Sequence, residues 1–147
     1  MQNLGQYFRN EQHIYLNGIN FEKLDAIPQP ENGEITLNCT DNIAATVKDN
    51  EGVEIVLTRK LTFVPEQLFG LVISFGADLK FDKEKAKEIN WREINLADEF
   101  RDNGDFIISN LLSRISLLVA QITSSFGQTP LIIPPSMPKV QKSEPTE

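Results

Sequence analysis

The fold is decided by residues 105–126, DFIISNLLSRISLLVAQITSSF. Apolar residues recur there at a spacing of three and four, which is typical of a helix with one buried stripe. The stripe comprises Ile108, Leu111, Leu112, Ile115, Leu118, Val119, Ile122 and Phe126. Asp105 is a favoured N-cap residue and Gly127 a favoured helix stop, so the sequence predicts one helix of roughly 30 Å.

A second face of this helix carries small side chains. They are Ser109, Ser113, Ser116, Ala120 and Thr123. Small residues let another backbone approach closely, and the helix holds only one charge, Arg114, after Asp105. The pattern predicts an oligomer interface. The alternative is a serine face exposed to water.

The residues before this helix have the period of two that is typical of β-strands. The first predicted strand is His13–Glu22, and its apolar phase changes across Asn17-Gly18, as a β-bulge would produce. Residues 24–33 contain two prolines and indicate a long crossing connection. The apolar positions from Ile35 to Val47 fit one long bent strand or two short ones.

Two further strands follow a predicted hairpin turn at residues 49–52. Apolar residues share one phase from Val53 to Phe63, where Arg59 interrupts them. Arg59 either pairs with a carboxylate on a neighbouring strand or marks a change of phase. Residues 69–81 alternate most regularly, with Phe69, Leu71, Ile73, Phe75, Ala77, Leu79 and Phe81 on one face.

One apolar sheet face and one apolar helix stripe predict an α+β domain of two layers. We expect a four-stranded antiparallel meander sheet packed on one long C-terminal helix. Residues 82–93 are a run of mixed charge and indicate a solvated linker, and Asn95 is placed to cap a short helix, Leu96–Asp102. We expect a flexible N-terminus at 1–12, a single domain at 13–135 and a disordered tail at 136–147.

Composition excludes several classes of protein. The net charge is -7 and the chain has no basic cluster, so nucleic acid is not an expected partner. Cys39 is the one cysteine, so no internal disulfide can form. The polar N-terminus lacks an apolar signal core, and the polar residues of the long helix argue against membrane insertion. We expect a cytoplasmic protein.

No motif for catalysis stands out. The chain has no glycine-rich phosphate loop, no paired histidine motif and no nucleophile elbow, and its single histidine is His13. We therefore expect no catalytic residue, no cofactor and no metal. The one rival is a metal-dependent enzyme built on the acidic residues Asp98, Glu99, Asp102 and Asp105. Acidic residues near helix N-termini are also favoured by the helix dipole, which requires no metal.

Some apolar residues fall outside the main sheet face and the helix stripe. They are Leu24, Ile27, Leu68, Val72, Leu131 and Ile133. Contiguous exposed apolar surface marks a binding site. The alternative is that the two proline-rich segments cover the core.

The order of elements resembles the SecB family of export chaperones. His13–Glu22, HIYLNGINFE, resembles the first strand of that family, and residues 110–130, which end in FGQTP, are similar to its long helix and exit. Residues 131–135, LIIPP, are similar to the short extended segment that follows. The resemblance covers about residues 12–135. The family's final helix has no counterpart in residues 136–147, and the crossing connection lacks the tryptophan of the export chaperones.

The resemblance implies a function. SecB proteins form tetramers, as dimers of dimers, through the long helix, and they hold unfolded polypeptides in apolar grooves. By resemblance, the groove would include Leu24, Ile27, Leu68, Val72, Ile122 and Phe126, joined by Leu131 and Ile133 from the surplus apolar surface. We expect a homo-oligomeric holding chaperone, a dimer or tetramer, that acts without ATP. The alternative is a non-catalytic assembly protein with one folded partner.

Overall fold

The computed structural model describes residues 3–25, 36–65, 68–125 and 130–137. Four strands form one antiparallel sheet: β1 (Phe8–Lys23), β2 (Thr36–Lys48), β3 (Gly52–Val64) and β4 (Phe69–Phe81). Three helices follow: α1 (Lys83–Ala86), α2 (Leu96–Asn103) and α3 (Asp105–Ser124). A short 3₁₀ helix, Leu4–Tyr7, precedes the sheet. The predicted α+β class, an open antiparallel sheet with a long C-terminal helix, is confirmed.

The strand order is β1-β4-β3-β2. Only β2, β3 and β4 are therefore in meander order, because β1 pairs with β4 and the chain after it leads to the opposite edge of the sheet. Most of the predicted crossing connection at residues 24–33 lies outside the described residues. The predicted bulge in β1 is present as a register shift between Leu16 and Gly18. β2 is one continuous strand in regular register with β3.

One face of the sheet, which we call the inner face, carries the core. Residues directly opposite each other in an antiparallel ladder point to the same face, so the residues of the inner face can be identified from one strand to the next. The inner face includes Ile55, Leu57, Leu71 and Ile73, each at most 1% exposed. α3 packs on β4 and β3, and α2 packs on β2.

α3 has the predicted buried stripe. The helix begins and ends at slightly different residues, and the stripe differs in a few of its residues. Gly104, not Asp105, occupies the N-cap position, with no side-chain cap hydrogen bond, and α3 ends at Ser124. Phe126 lies outside the described residues. Leu118 and Ile122 are only partly buried, whereas Ile107 and Thr123 are buried. By length and composition alone α3 is apolar enough to cross a membrane, but here its stripe packs on the sheet as a core helix.

The N-terminus and the charged linker differ from expectation. Leu4 is fully buried and β1 begins at Phe8, so the expected flexible segment 1–12 holds ordered core residues. The 82–93 region contains α1 and places Trp91 in the core, where its indole N–H donates to Ala86 O at 2.9 Å. Both regions contain aromatic core residues, Phe8 and Trp91, that are too isolated in the sequence to form a periodic pattern, which explains why the predictions differ from the structure. α2 and its Asn95 cap agree with expectation.

Candidate functional site

The predicted groove residues are divided between the two faces of the sheet. Leu24 and Val72 line a trough of about 540 Å³ on the outer face. Its walls also include Asn20, Glu22, Lys60, Thr62, Val64 and Gly70. Polar and apolar groups both line this trough, which lies at one end of the sheet, over β1, β4 and β3.

The remaining described groove residues belong to the inner face. Leu68, Ile122, Leu131 and Ile133 are partly buried against the core. Ile27 and Phe126 lie outside the described residues. The groove therefore stays a prediction, whose described residues are divided between the trough and the inner side with α3.

The most exposed apolar cluster in the sheet is on β1. Leu16 is 50% exposed, Ile19 44% and Phe21 38%. These three residues, which we call the β1 patch, lie opposite Phe75, Ile73 and Leu71 of β4 and thus point to the inner face. An apolar row of this kind on the core side of a sheet is surface that the described helices do not cover.

Geometry explains why the β1 patch is uncovered. β1 is an edge strand that, within the described ranges, pairs only with β4. α3 packs mainly on β4 and β3 and contacts β1 at its first end, through Phe106 beside Phe8 and Gln12. The bulge at Asn17 adds one residue, so Leu16 and Ile19 point to the same face although three positions separate them. The patch is therefore continuous along the strand.

Sequence analysis missed the patch as a site. The alternation of β1 did not reveal the patch, because a half-buried strand and a more exposed edge strand have the same alternation. The missing information was the strand order, which places β1 beside β4 at the edge of the sheet. Another extended chain can pair with the backbone of an edge strand.

The predicted interface stripe on α3 changes character along its length. Ser109 and Ser113 are exposed, and each hydroxyl donates to the carbonyl four residues earlier, at 2.6 and 2.8 Å. Ser116 and Ala120 are partly buried. Thr123 is 1% exposed and is covered by its own chain, so it differs from the other four. The Ser116 hydroxyl is buried, so Ser109, Ser113 and Ala120 form the part of the stripe that a partner can reach.

Arg59 resolves the choice that the sequence left open. It stays in phase on the inner face and pairs with Asp41, its direct partner on β2. Arg59 Nε donates to Asp41 Oδ1 at 2.7 Å and Nη2 donates to Oδ2 at 2.8 Å. The two side chains are 1% and 3% exposed. The hydrogen bond to Asp41 raises the pKa of Arg59 above its usual value, so the guanidinium stays charged.

The outer face of the sheet carries a hydrogen-bonded polar network. The Tyr15 hydroxyl donates to Glu54 Oε2 at 3.0 Å, and Lys48 Nζ donates to the same oxygen at 2.9 Å. Burial, followed by the hydrogen bond to Glu54, raises the pKa of Tyr15 to about 12. The bonds from Lys48 and Tyr15 lower the pKa of Glu54. The network connects β1, β2 and β3 on this face.

The candidate chemical groups give no reactive arrangement. Burial raises the pKa of the Cys39 thiol, although the Arg59 charge opposes the shift, so the thiolate form is disfavoured. Asp98 forms an ion pair with Arg101, and Glu99 accepts a bond from Asn103. Within the described part of the chain, no three metal-ligating side chains come together.

The fold is similar to that of two solved structures. The first is the Mycobacterium tuberculosis Rv1957 SecB-like chaperone in complex with a ChAD peptide from the Rv1956 HigA1 antitoxin, with a TM-score of 0.61 and 13% identity over 89% of this chain and 91% of that chain. The second is a protein of unknown function from Streptococcus agalactiae, with a TM-score of 0.41 and 17% identity over 84% of this chain and 97% of that one. No family model and no curated protein matches the sequence. The first likeness shows that this chain has the fold of a SecB-like chaperone.

Proposed function

We propose that this protein is a SecB-like holding chaperone that binds unfolded or partly folded polypeptide through uncovered apolar surface. The β1 patch is the observation that carries the proposal. It combines three large apolar side chains, each more than a third exposed, with a strand that lies at the edge of the sheet among the described residues. The outer trough beside Leu24 and Val72 offers a second contact area.

The mode of binding follows from the shape of the patch. An extended client segment can lie along β1, where backbone groups supply hydrogen bonds and alternate side chains contact Leu16 and Ile19. Each contact of this size is weak, because buried area does not convert directly into affinity. Several contacts on one client, or several copies of the protein, raise the overall affinity by multivalency.

Two further observations support the proposal. The similar solved structure is a SecB-like chaperone with a peptide bound, which is consistent with a polypeptide client. The candidate catalytic groups of the described residues do not converge, and the sequence has no nucleotide loop. We therefore propose an activity without ATP and without covalent chemistry, in the cytoplasm.

The direct test is suppression of aggregation. The pure protein is added at near-stoichiometric ratio to a chemically unfolded enzyme as it is diluted into buffer, and light scattering is recorded. The test variant carries Leu16→Thr and Ile19→Thr, which remove apolar surface and keep a high strand propensity. Ile132→Ser is the control, because Ile132 is exposed but lies away from β1.

We expect suppression by the wild type and by the control, and loss of most suppression in the β1 variant. Its free energy of unfolding should stay within about 1 kcal/mol of wild type, because half-exposed residues contribute little to the core. A wild type that leaves aggregation unchanged contradicts the proposal. Equal suppression by all three proteins moves the site away from β1.

The alternative is an assembly protein whose apolar surface is covered by its own copies or by one folded partner. The reachable part of the α3 stripe favours association, because the Ser109 and Ser113 hydroxyls donate to their own helix and leave a smooth surface. Leu117, which is 62% exposed, lies on the same helix. Sedimentation and binding of an apolar dye separate the two functions. An oligomer that binds no dye supports assembly, and a Ser113→Trp variant of lower mass places the contact on α3.

A further inference from the structure

Residues 130–137 form an extended segment with an unusual composition. Its sequence, PLIIPPSM, has no charged residue. Leu131, Ile133 and Met137 are partly buried against the core, whereas Ile132 between the first two is 75% exposed. Alternate side chains thus point toward and away from the protein, as in a strand. Its three prolines lack N–H groups, and the segment belongs to no strand of the sheet.

The protein holds this segment by its backbone. Leu131 N–H donates to the Thr123 hydroxyl at 2.8 Å. Arg59 donates from Nη1 to Pro134 O and from Nη2 to Ser136 O, both at 3.2 Å. The chain bends at residues 135–136, and this bend brings both carbonyls to the one guanidinium. None of these three bonds uses a side chain of the segment, so the contacts do not depend on its sequence.

The charge state of the site selects its occupant. Asp41 pairs with Arg59 through two hydrogen bonds and neutralises it, so the site has no net charge to attract a carboxylate. The guanidinium N–H groups that face residues 134 and 136 still require acceptors, because an unsatisfied buried donor is costly. Neutral backbone carbonyls fit this requirement. When the occupant leaves, another chain with carbonyls at the same spacing can satisfy these groups in its place.

We propose that residues 130–137 occupy, in cis, a groove that accepts extended uncharged polypeptide, and that an apolar client segment displaces them from Arg59 and Thr123. The proposal rests on the proposed chaperone function. It adds a second client site on the inner face, and it names the client chemistry: an extended segment without charge and with apolar residues at alternate positions. The protein's own segment then acts as a built-in competitor that keeps the groove filled.

The first experiment weakens the cis segment. Ile133→Ser removes its inward apolar contact, and Ile132→Ser is the matched control because it makes the same change at the adjacent exposed position. The probe is a fluorescein-labelled peptide with the sequence of residues 130–137, followed by fluorescence anisotropy. We expect the Ile133→Ser protein to bind the peptide about tenfold more tightly than wild type, since apparent affinity rises with the fraction of open groove. The Ile132→Ser protein should bind like wild type.

The second experiment keeps the apolar contact and removes a backbone bond. Thr123→Val deletes the hydroxyl that accepts from Leu131 N–H and is close in shape. Ser113→Ala is the control, because its hydroxyl makes the same bond to the helix but has no contact with residues 130–137. We expect faster hydrogen exchange at the Leu131 amide for Thr123→Val only. The labelled peptide should bind Thr123→Val no more tightly than it binds wild type, because the peptide loses the same acceptor. Circular dichroism checks that both variants are folded.

The outcomes separate this inference from the proposed function. Addition of a reduced, carboxymethylated protein that cannot fold should release the labelled peptide from the Ile133→Ser protein. Equal peptide affinity in the wild type and the Ile133→Ser protein overturns the inference even where aggregation is suppressed. Tighter peptide binding without release by the unfolded protein overturns the client part. Failure of the proposed function appears differently: the wild type suppresses no aggregation, yet Ile133→Ser still binds the peptide more tightly, which supports an exchangeable groove.

Discussion

The two ends of β1 lie on the same face of the sheet and have opposite environments. Phe8 is 5% exposed, with Phe81, Trp91, Phe100 and Phe106 around its ring at centroid distances of 5.4 to 6.1 Å. Phe21, at the other end, is 38% exposed and stacks on Phe69 at 5.7 Å. The same strand thus passes from a closed aromatic cluster to open surface.

The difference shows how a small chain distributes its helices. The 3₁₀ helix, α1, α2 and the start of α3 all meet around the first end of β1. The rest of α3 packs on β4 and β3, and the three apolar residues of the β1 patch are 38–50% exposed. Stability is concentrated where the helices gather, and the more exposed end of β1 is the one that we propose for client binding.

Matched substitutions at the two ends measure this contrast. Phe8→Ala should lower the free energy of unfolding by about 3–5 kcal/mol, because it opens a cavity inside the aromatic cluster. Phe21→Ala should lower it by about 1 kcal/mol, since the side chain is partly solvated already. Urea denaturation of both variants gives the values. Equal losses would show that the two ends are covered alike in solution and would contradict the binding role of the β1 patch.

Two ion pairs between β2 and β3 differ in the same way, because one pair is buried and the other is exposed. Arg59→Met leaves Asp41 buried and unpaired and should destabilise the protein by about 3–5 kcal/mol. Lys48→Met removes the exposed partner of Glu54 and should produce no measurable change, because solvent screens that pair. Thermal and urea denaturation at pH 7 provide the comparison. A stable Arg59→Met protein would mean that water or other groups satisfy Asp41.

Two glycines of β4 differ in whether a neighbouring side chain covers them on the outer face. A Cβ at Gly76 would lie 2.4 Å from the Tyr15 ring carbon Cζ, whereas a Cβ at Gly70 would meet nothing within 4 Å. Gly76→Ala should therefore cost about 1–3 kcal/mol through overpacking. Gly70→Ala should change stability by less than about 0.5 kcal/mol. A neutral Gly76→Ala variant, measured by the same denaturation, would show that Tyr15 moves away freely.

The smallest expected effect is a pH dependence at Tyr15. Its pKa is raised to about 12, so the folded state holds the phenolic proton more tightly than the unfolded chain, whose pKa is near 10. This contribution to stability is complete below pH 10 and is lost as the pH rises toward 12. Ultraviolet titration of the phenolate should show a late phase that Tyr15→Phe removes. A late phase that persists in the variant would show that a group other than Tyr15 causes it.

The sequence predicted those features that repeat along the chain. The alternation of residues 69–81, the stripe of α3 and the phase change at Asn17 each depend on local periodicity, and the structure has all three. The Arg59–Asp41 pair was one of two alternatives, because the partner on β2 depends on register. The β1 patch was not found, since exposure depends on strand order. Leu4 and Trp91 were missed because single aromatic or apolar residues between polar neighbours leave no periodic signal.

The bulge in β1 gives chain length itself a role. Asn17 is the extra residue between Leu16 and Gly18, and its side chain donates to Ser74 on the outer face. Because side chains alternate in a strand, deletion of this one residue would turn Ile19 and Phe21 to the opposite side of the sheet. A one-codon deletion would thus move exposed apolar surface from one side of the molecule to the other, with almost no change in amino-acid composition. Insertions and deletions in this stretch would change the molecular surface far more than most substitutions there.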